Sequence, residues 1–346
     1  MNLFERSDVF AALDLGTTNC RLLVARPAGE GMRVVDSFSR IVRLGEGLAS
    51  TGVLSEAAMC RAIEALEICS IKLQQRRVTH ARFVATEACR RAANCGDFLG
   101  RVRDATGLEL EIIPTGEEAR LALAGCAPLL DPRLPHALVF DIGGGSTEIL
   151  WVGVRRRRNG RLRTEIRGVV SLPFGVVSLT EAYLRGEAPG PVFDDMVAEL
   201  RRSFAEFDAE WRIAQQIARG GVQMLGSSGT VTTLAGIHLG LIRYDRSRVD
   251  GMMLGFTEIL RIIRELVGMD AIARAAQPCI GAGRADLMLA GCAILQAICS
   301  VWPVGRLRVA DRGVREGILS GLMEDARRAE RAPDLGACLT GLALPT

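Results

Sequence analysis

The sequence predicts an α/β protein of two similar lobes facing each other across a cleft. Three observations lead there. The chain has 346 residues, and at about 100–200 residues per domain that length calls for two domains rather than one or four. An apolar run ending in Asp, an aliphatic residue and Gly occurs at Ala12-Leu13-Asp14-Leu15-Gly16 and again at Val139-Phe140-Asp141-Ile142-Gly143. After each, alternating strand patterns give way to helical spacing, and recurrence on the scale of a domain reads as a repeated architecture. Each lobe is expected to hold a mixed sheet that opens with an antiparallel meander and is completed by helices.

In the first half, residues 9–14, 20–25 and 32–38 alternate as strands, separated by turns at 15–19 and 27–31. From Ser55 the period changes: Met59, Ile63, Leu66, Cys69 and Leu73 share a helix face, with Ser55 as N-cap. A strand at 81–86, a helix, a strand at 108–113 and a helix from Gly116 complete the order βββαβαβα. The second half repeats the meander at 137–142, 147–152 and 161–170. Helical stretches follow near 177–184 and 192–212, then a short strand at 222–225 and a helix at 231–236. The expected division is a first lobe at 1–126, a second at 127–322 and a tail at 323–346, with the break in the proline-containing connection 127–135.

Composition narrows the function. A hydrophobic share of 49% with 24% charged residues is ordinary for globular domains, and a net charge of +3 lacks the basic footprint of a dedicated nucleic-acid binder. Of 43 basic residues only Lys72 is a lysine. No Gly-x-x-x-x-Gly-Lys-[Ser/Thr] occurs, which excludes a P-loop NTPase. The ten cysteines include no Cys-x-x-Cys and sit mostly in apolar stretches, so they read as buried thiols. Residues 1–8 lack a signal-peptide layout and there is no apolar run of about 18 residues. The expectation is a cytoplasmic protein with no membrane or nucleic-acid partner. His80, His136 and His238 are scattered and carry no catalytic expectation.

Three small-residue turns can present backbone N–H groups to an anion: Gly16-Thr17-Thr18-Asn19, Gly143-Gly144-Gly145-Ser146-Thr147 and Gly226-Ser227-Ser228-Gly229-Thr230. The third leads into a helix, whose N-terminus adds to the attraction. The hydroxyls of Thr17, Thr18, Ser146, Thr147, Ser227, Ser228 and Thr230 are further donors. Together the turns predict a phosphate-rich ligand. Asp14 and Asp141 end strands where they enter such turns, and a carboxylate beside phosphate calls for a bridging Mg²⁺. Glu148, seven residues after Asp141, returns to the same place across the hairpin. Glu117 and Glu118 open a helix, where spacing alone makes them first-turn charges that suit the helix dipole. Arg90 follows a strand; among so many arginines a surface position is the default reading, and a bidentate clamp on phosphate oxygens is the functional one. The run Arg155–Arg158 before Asn159-Gly160 reads as a hairpin tip, or as a patch that guides a polyanion.

These motifs, with Val42-Arg43-Leu44-Gly45-Glu46-Gly47-Leu48, residues 86–94, 113–121 and 284–291, and Asp311-Arg312-Gly313-Val314-Arg315-Glu316-Gly317, resemble the exopolyphosphatase / guanosine pentaphosphate phosphohydrolase family over about residues 9–320. The resemblance implies the actin-like (ribonuclease H-like) fold in each lobe. It implies hydrolysis of a terminal phosphoanhydride, in polyphosphate or guanosine pentaphosphate, with Mg²⁺ or alternatively Mn²⁺, and stimulation by a monovalent cation. Glu118 then resembles the catalytic base and Arg90 the phosphate-contacting arginine, while Asp141 and Glu148 resemble metal and water ligands; Asp14 remains a metal candidate by its strand-end position. A homodimer is implied as well. The first turn departs from the family's usual Gly-Ser-Asn-Ser, so either Thr18 or Asn19 takes the phosphate contact; its Gly-Thr-Thr also resembles sugar kinases. A phosphotransferase and a non-catalytic nucleotide sensor are the alternative readings. The chain stops near where longer members carry a further helical domain.

Overall fold

The computed structural model describes residues 8–29, 31–156, 162–183 and 189–331. The first sheet contains β1 (Phe10–Leu15), β2 (Asn19–Ala28), β3 (Gly31–Ile41), β4 (His80–Ala85) and β5 (Glu111–Ile112), in the order β3-β2-β1-β4-β5. The second contains β6 (His136–Ile142), β7 (Thr147–Arg156), β8 (Leu162–Leu172), β9 (Val222–Ser228), β10 (Met253–Gly255) and β11 (Arg306–Ala310), in the order β10-β11-β9-β6-β7-β8. Each opens with an antiparallel meander, and its first strand pairs in parallel with a later one, β1 with β4 and β6 with β9. The two-lobe expectation therefore holds as an α/β fold with one strand plan used twice. The expected strand 108–113 narrows to Glu111–Ile112, which pairs on one side only, at the sheet edge.

Strand period explains how both faces of these sheets are covered. In β1, Leu13 and Leu15 face a core with Ala62, Leu66 and Cys69 of the Glu56–Arg76 helix and Phe98 of the Cys95–Thr106 helix. Phe10 and Ala12 face the opposite way, onto Leu121 of the Thr115–Cys126 helix and Ile318 and Leu319 of the Val314–Arg331 helix. The second sheet repeats this, with Leu138, Phe140 and Ile142 on one side and Ala137 and Val139 on the other. Ser55 caps its helix as expected, accepting from Ala58 N–H at 3.3 Å. Seven described cysteines are buried, in keeping with core thiols. No helix among the described residues is long and apolar enough to cross a membrane.

The Val314–Arg331 helix packs on the first sheet although it follows the second in sequence. A cut at residue 322 would pass through it. Its contact with the Thr115–Cys126 helix is backbone on backbone: a Cβ on Gly317 would lie 2.0 Å from the Leu121 carbonyl oxygen, and one on Gly125 would lie 2.1 Å from the Gly313 oxygen. Neither obstacle is a side chain that can turn away. Gly317→Ala should therefore lower unfolding stability by about 1–3 kcal/mol. Gly321→Ala, with nothing within 4 Å, should raise it by about 0.5–1 kcal/mol through helix propensity alone. Urea melts of both variants check this; equal behaviour would remove the close approach as the cause.

Candidate active site

The carboxyl ends of the parallel strands of both sheets meet in a cleft of about 580 Å³, the usual ligand position in α/β proteins. The two hairpin turns are closed by the same bond, Gly16 N–H to the Asn19 carbonyl and Gly143 N–H to the Ser146 carbonyl, each 2.9 Å. They press on one another: a Cβ on Gly144 would lie 2.2 Å from Thr18 Oγ1 and 2.8 Å from Thr17 Cβ. The third turn ends β9 and opens the Gly229–His238 helix at the same cleft, with Ser228 as N-cap.

Every predicted site residue borders this cleft except Arg90, Thr147 and Gly226. Gly226 is a packing glycine, since a Cβ there would sit 2.4 Å from the Phe140 ring. Thr147 is fully buried and donates to the Phe174 carbonyl at 2.6 Å. Arg90 stands behind Glu118: it donates to Glu118 Oε2 at 2.7 Å, to Glu87 Oε2 at 2.9 Å and to the Ile113 carbonyl at 2.8 Å. Several expected hydroxyl donors are also engaged. Ser146 bonds Glu148, Ser227 bonds the Arg312 carbonyl and Ser228 accepts from Val231 N–H, because sheltered acceptors and donors must be satisfied where the fold places them. Thr18 Oγ1 and Asn19 Oδ1 are different. Both are buried with no protein hydrogen-bond partner, so their internal bonding does not decide between Thr18 and Asn19.

Glu118 and Glu117 take different directions from one helix turn. Glu117 pairs outward with Arg82 at 2.8 Å, while Glu118 faces the cleft. Burial, then the nearby Glu148 charge, pushes the Glu118 carboxyl up to about 8 against the opposing pull of Arg90. Burial and Glu148 push Asp141 up to about 7. Asp14 and Glu148 are also raised, burial being the main cause in each. Glu148 is held by the Ser146 and Ser171 hydroxyls at 2.6 and 2.8 Å.

The repeat contains a substitution that the sequence reading passed over. Asp141 faces Glu148 across β6 and β7, and Asp14 faces Arg21 at the same place across β1 and β2. The seven-residue spacing that picked out Glu148 would have found Arg21. Arg21, Arg284 and Arg315 all border the cleft and have no ion-pair partner among the described residues. Burial, with the Arg21 charge a further cause, holds the guanidinium groups of Arg284 and Arg315 below their ordinary value. By contrast Arg246 pairs with Glu316 at 2.7 Å and Arg312 with Asp250 at 2.6 Å.

No three Asp, Glu, His or Cys side chains among the described residues converge as a closed metal cage. Mg²⁺ characteristically takes one or two carboxylates and completes its shell with water and phosphate oxygens, and the mutually repelling Asp14, Asp141 and Glu148 fit that demand. Of the Arg155–Arg158 run, Arg155 and Arg156 are exposed at the far end of β7, about 30 Å along the strand from its start at the cleft. Residues 157–161 lie outside the described residues.

Paired glycine turns, sheltered carboxyls and unpaired arginines between two actin-like lobes define a phosphate-handling enzyme class. The profile of the Ppx/GppA phosphatase family matches residues 23–326. The chain belongs to that family and is a hydrolase acting on phosphoanhydride bonds. Exopolyphosphatase 2 of Mycobacterium tuberculosis is 29% identical over 326 residues, covering 90% of this chain and 98% of the relative. The crystal structure of the Aquifex aeolicus Ppx/GppA family member superposes with a TM-score of 0.75 at 28% identity, over 92% of this chain and 98% of that one. An exopolyphosphatase from Cytophaga hutchinsonii, at 22% identity, shares the fold with a TM-score of 0.79 over 92% and 98% of the two chains.

Raised carboxyl pKa values give a signed stability prediction. A group whose folded pKa is above its unfolded value contributes stability below the unfolded pKa and loses it as pH rises through the folded pKa. For Glu118 that window runs from its ordinary 4.5 to about 8. The ligand-free wild type should lose stability relative to Glu118→Gln as pH rises from 5 to 8.5. Urea melts across that range measure the difference, and a constant gap would contradict the assignment.

Proposed function

We propose that this chain removes the terminal phosphate of inorganic polyphosphate, and of guanosine pentaphosphate, in a Mg²⁺-dependent reaction with Glu118 as general base. The observation that carries the reading is Glu118 itself, a raised carboxyl held by Arg90 at the floor of a cleft ringed by anion-binding turns. The exopolyphosphatase relative supports polyphosphate as substrate.

The terminal phosphate would lie against the backbone N–H groups of the two hairpin turns and the start of the Gly229–His238 helix. Arg21, Arg284 and Arg315 would receive the following phosphates. Mg²⁺, held through Asp14, Asp141 or Glu148, would supply neutralisation of phosphate charge. Glu118, as carboxylate, orients a water in line with the terminal phosphorus and accepts its proton as the new O–P bond forms. The bridging P–O bond breaks, and its electron pair leaves on the shortened chain. No covalent enzyme intermediate is needed, since positioning and electrostatics carry reactions of this type.

Phosphate release from polyphosphate and from guanosine pentaphosphate tests this. Glu118→Gln should lower kcat by about 10²–10⁴-fold with KM changed little, and should abolish an acidic limb in kcat/KM. For the wild type that limb should lie near pH 8, set by the raised Glu118 carboxyl of the free enzyme. Chelation of divalent cations should stop turnover and Mg²⁺ should restore it. Undiminished activity in Glu118→Gln would remove the base assignment.

A further inference from the structure

Residues 42–48 leave β3 and lie between the lobes, and their backbone is bonded to the first glycine turn. Val42 N–H and Arg43 N–H donate to the Thr18 carbonyl at 2.8 and 3.0 Å, and Gly45 N–H donates to the Thr17 carbonyl at 3.0 Å. A peptide unit is planar, so holding these two carbonyls also fixes the direction of the Thr18 and Asn19 N–H groups. The orientation of that anion-binding turn is thus set by the 42–48 segment.

The second lobe grips the same segment at two points. Arg43 donates to both carboxylate oxygens of Asp286, each at 2.8 Å, and to the Gly283 carbonyl at 3.1 Å. Gly47 N–H donates to Glu181 Oε1 at 2.7 Å. Glu181 belongs to the Val176–Tyr183 helix, whose first N–H groups, of Val176 and Val177, donate to the carbonyls of Gly143 and Gly144 at 3.0 and 2.8 Å. Each glycine turn is therefore held through its carbonyls by a neighbouring segment, and Glu181 ties the two holders together. Asp286 also lies two residues from Arg284, which borders the cleft.

The grip has a backbone cost. Arg43 sits at φ 46°, in the left-handed region that residues with a Cβ avoid. From the first lobe, Arg61 donates to the Val42 carbonyl at 2.9 Å and to the Arg43 carbonyl at 3.3 Å. The Arg43–Asp286 pair is itself part-exposed, at 28% and 45%, so it contributes little to folding stability and is weak enough to open and close.

We propose that residues 42–48 form a strap that couples closure of the two lobes to the shape of the phosphate turns, with Arg43, Asp286 and Glu181 as positioning residues. The inference rests on reading those turns as the phosphate cradle, as in the proposed function.

The test needs no turnover. Tripolyphosphate binding is measured by calorimetry in the presence of a chelator for the wild type, Arg43→Gln, Asp286→Asn, the double variant and Glu181→Gln. Each single variant should bind about fivefold more weakly, the upper end for a part-exposed pair. The Arg43/Asp286 double variant should be no weaker than either single one, because both remove the same interaction. Small-angle X-ray scattering should show a larger radius of gyration for these variants than for the wild type, with unfolding midpoints unchanged. Wild-type affinity in all variants, multiplied losses in the double variant, or unchanged dimensions would overturn the strap. Absence of polyphosphate hydrolysis by the wild type would overturn the proposed function while leaving the strap to be judged by binding and scattering.

Discussion

Four sheltered carboxyl groups line the cleft where the lobes meet, and the cost of burying them is the constraint around which their neighbours are arranged. Asp14, Asp141, Glu118 and Glu148 are each raised, chiefly because burial disfavours the charged form. Their positions leave little freedom to separate: two end central strands, one begins the outgoing strand of a hairpin and one lies in a helix first turn. Arg90 on Glu118 and two serines on Glu148 offset part of the cost.

The two lobes use one hairpin design, yet differ at one decisive place. Asp141 faces a glutamate across its hairpin, whereas Asp14 faces an arginine. One half of the cleft is therefore acidic, around Asp141, Glu148 and Glu118. The other is cationic, around Arg21 with Arg284 and Arg315. Such a division suits a reaction in which water is activated at one end of a polyanion whose remainder must be held. With a single lysine in the chain, any such holding would fall to arginine, whose planar fork matches phosphate oxygens.

Glycines bring these features together by permitting backbone contact. Gly144 admits the first lobe's threonines, and Gly125 and Gly317 let the helix carrying Glu118 meet the returning Val314–Arg331 helix. The latter contact is why a segment that is late in sequence completes the first lobe, and why Arg315, near its start, reaches the cleft.

The sequence alone determined the repeat, the meanders, the three small-residue turns and the acids beside them, because strand alternation, helix spacing and turn chemistry are local. It also carried the seven-residue spacing that marks Arg21, although that spacing was read only at Glu148. Tertiary structure decided which local features share a place. It separated Glu117 from Glu118 by giving the first Arg82 and the second the cleft. It set Arg90 against Glu118, engaged Ser146, Ser227 and Ser228 internally, and put Arg155 and Arg156 far from the start of their strand at the cleft. Residues 43 and 286 form a bidentate pair across 243 positions. No local period encodes such a contact, because its two partners are brought together only by the tertiary arrangement of segments far apart in the chain.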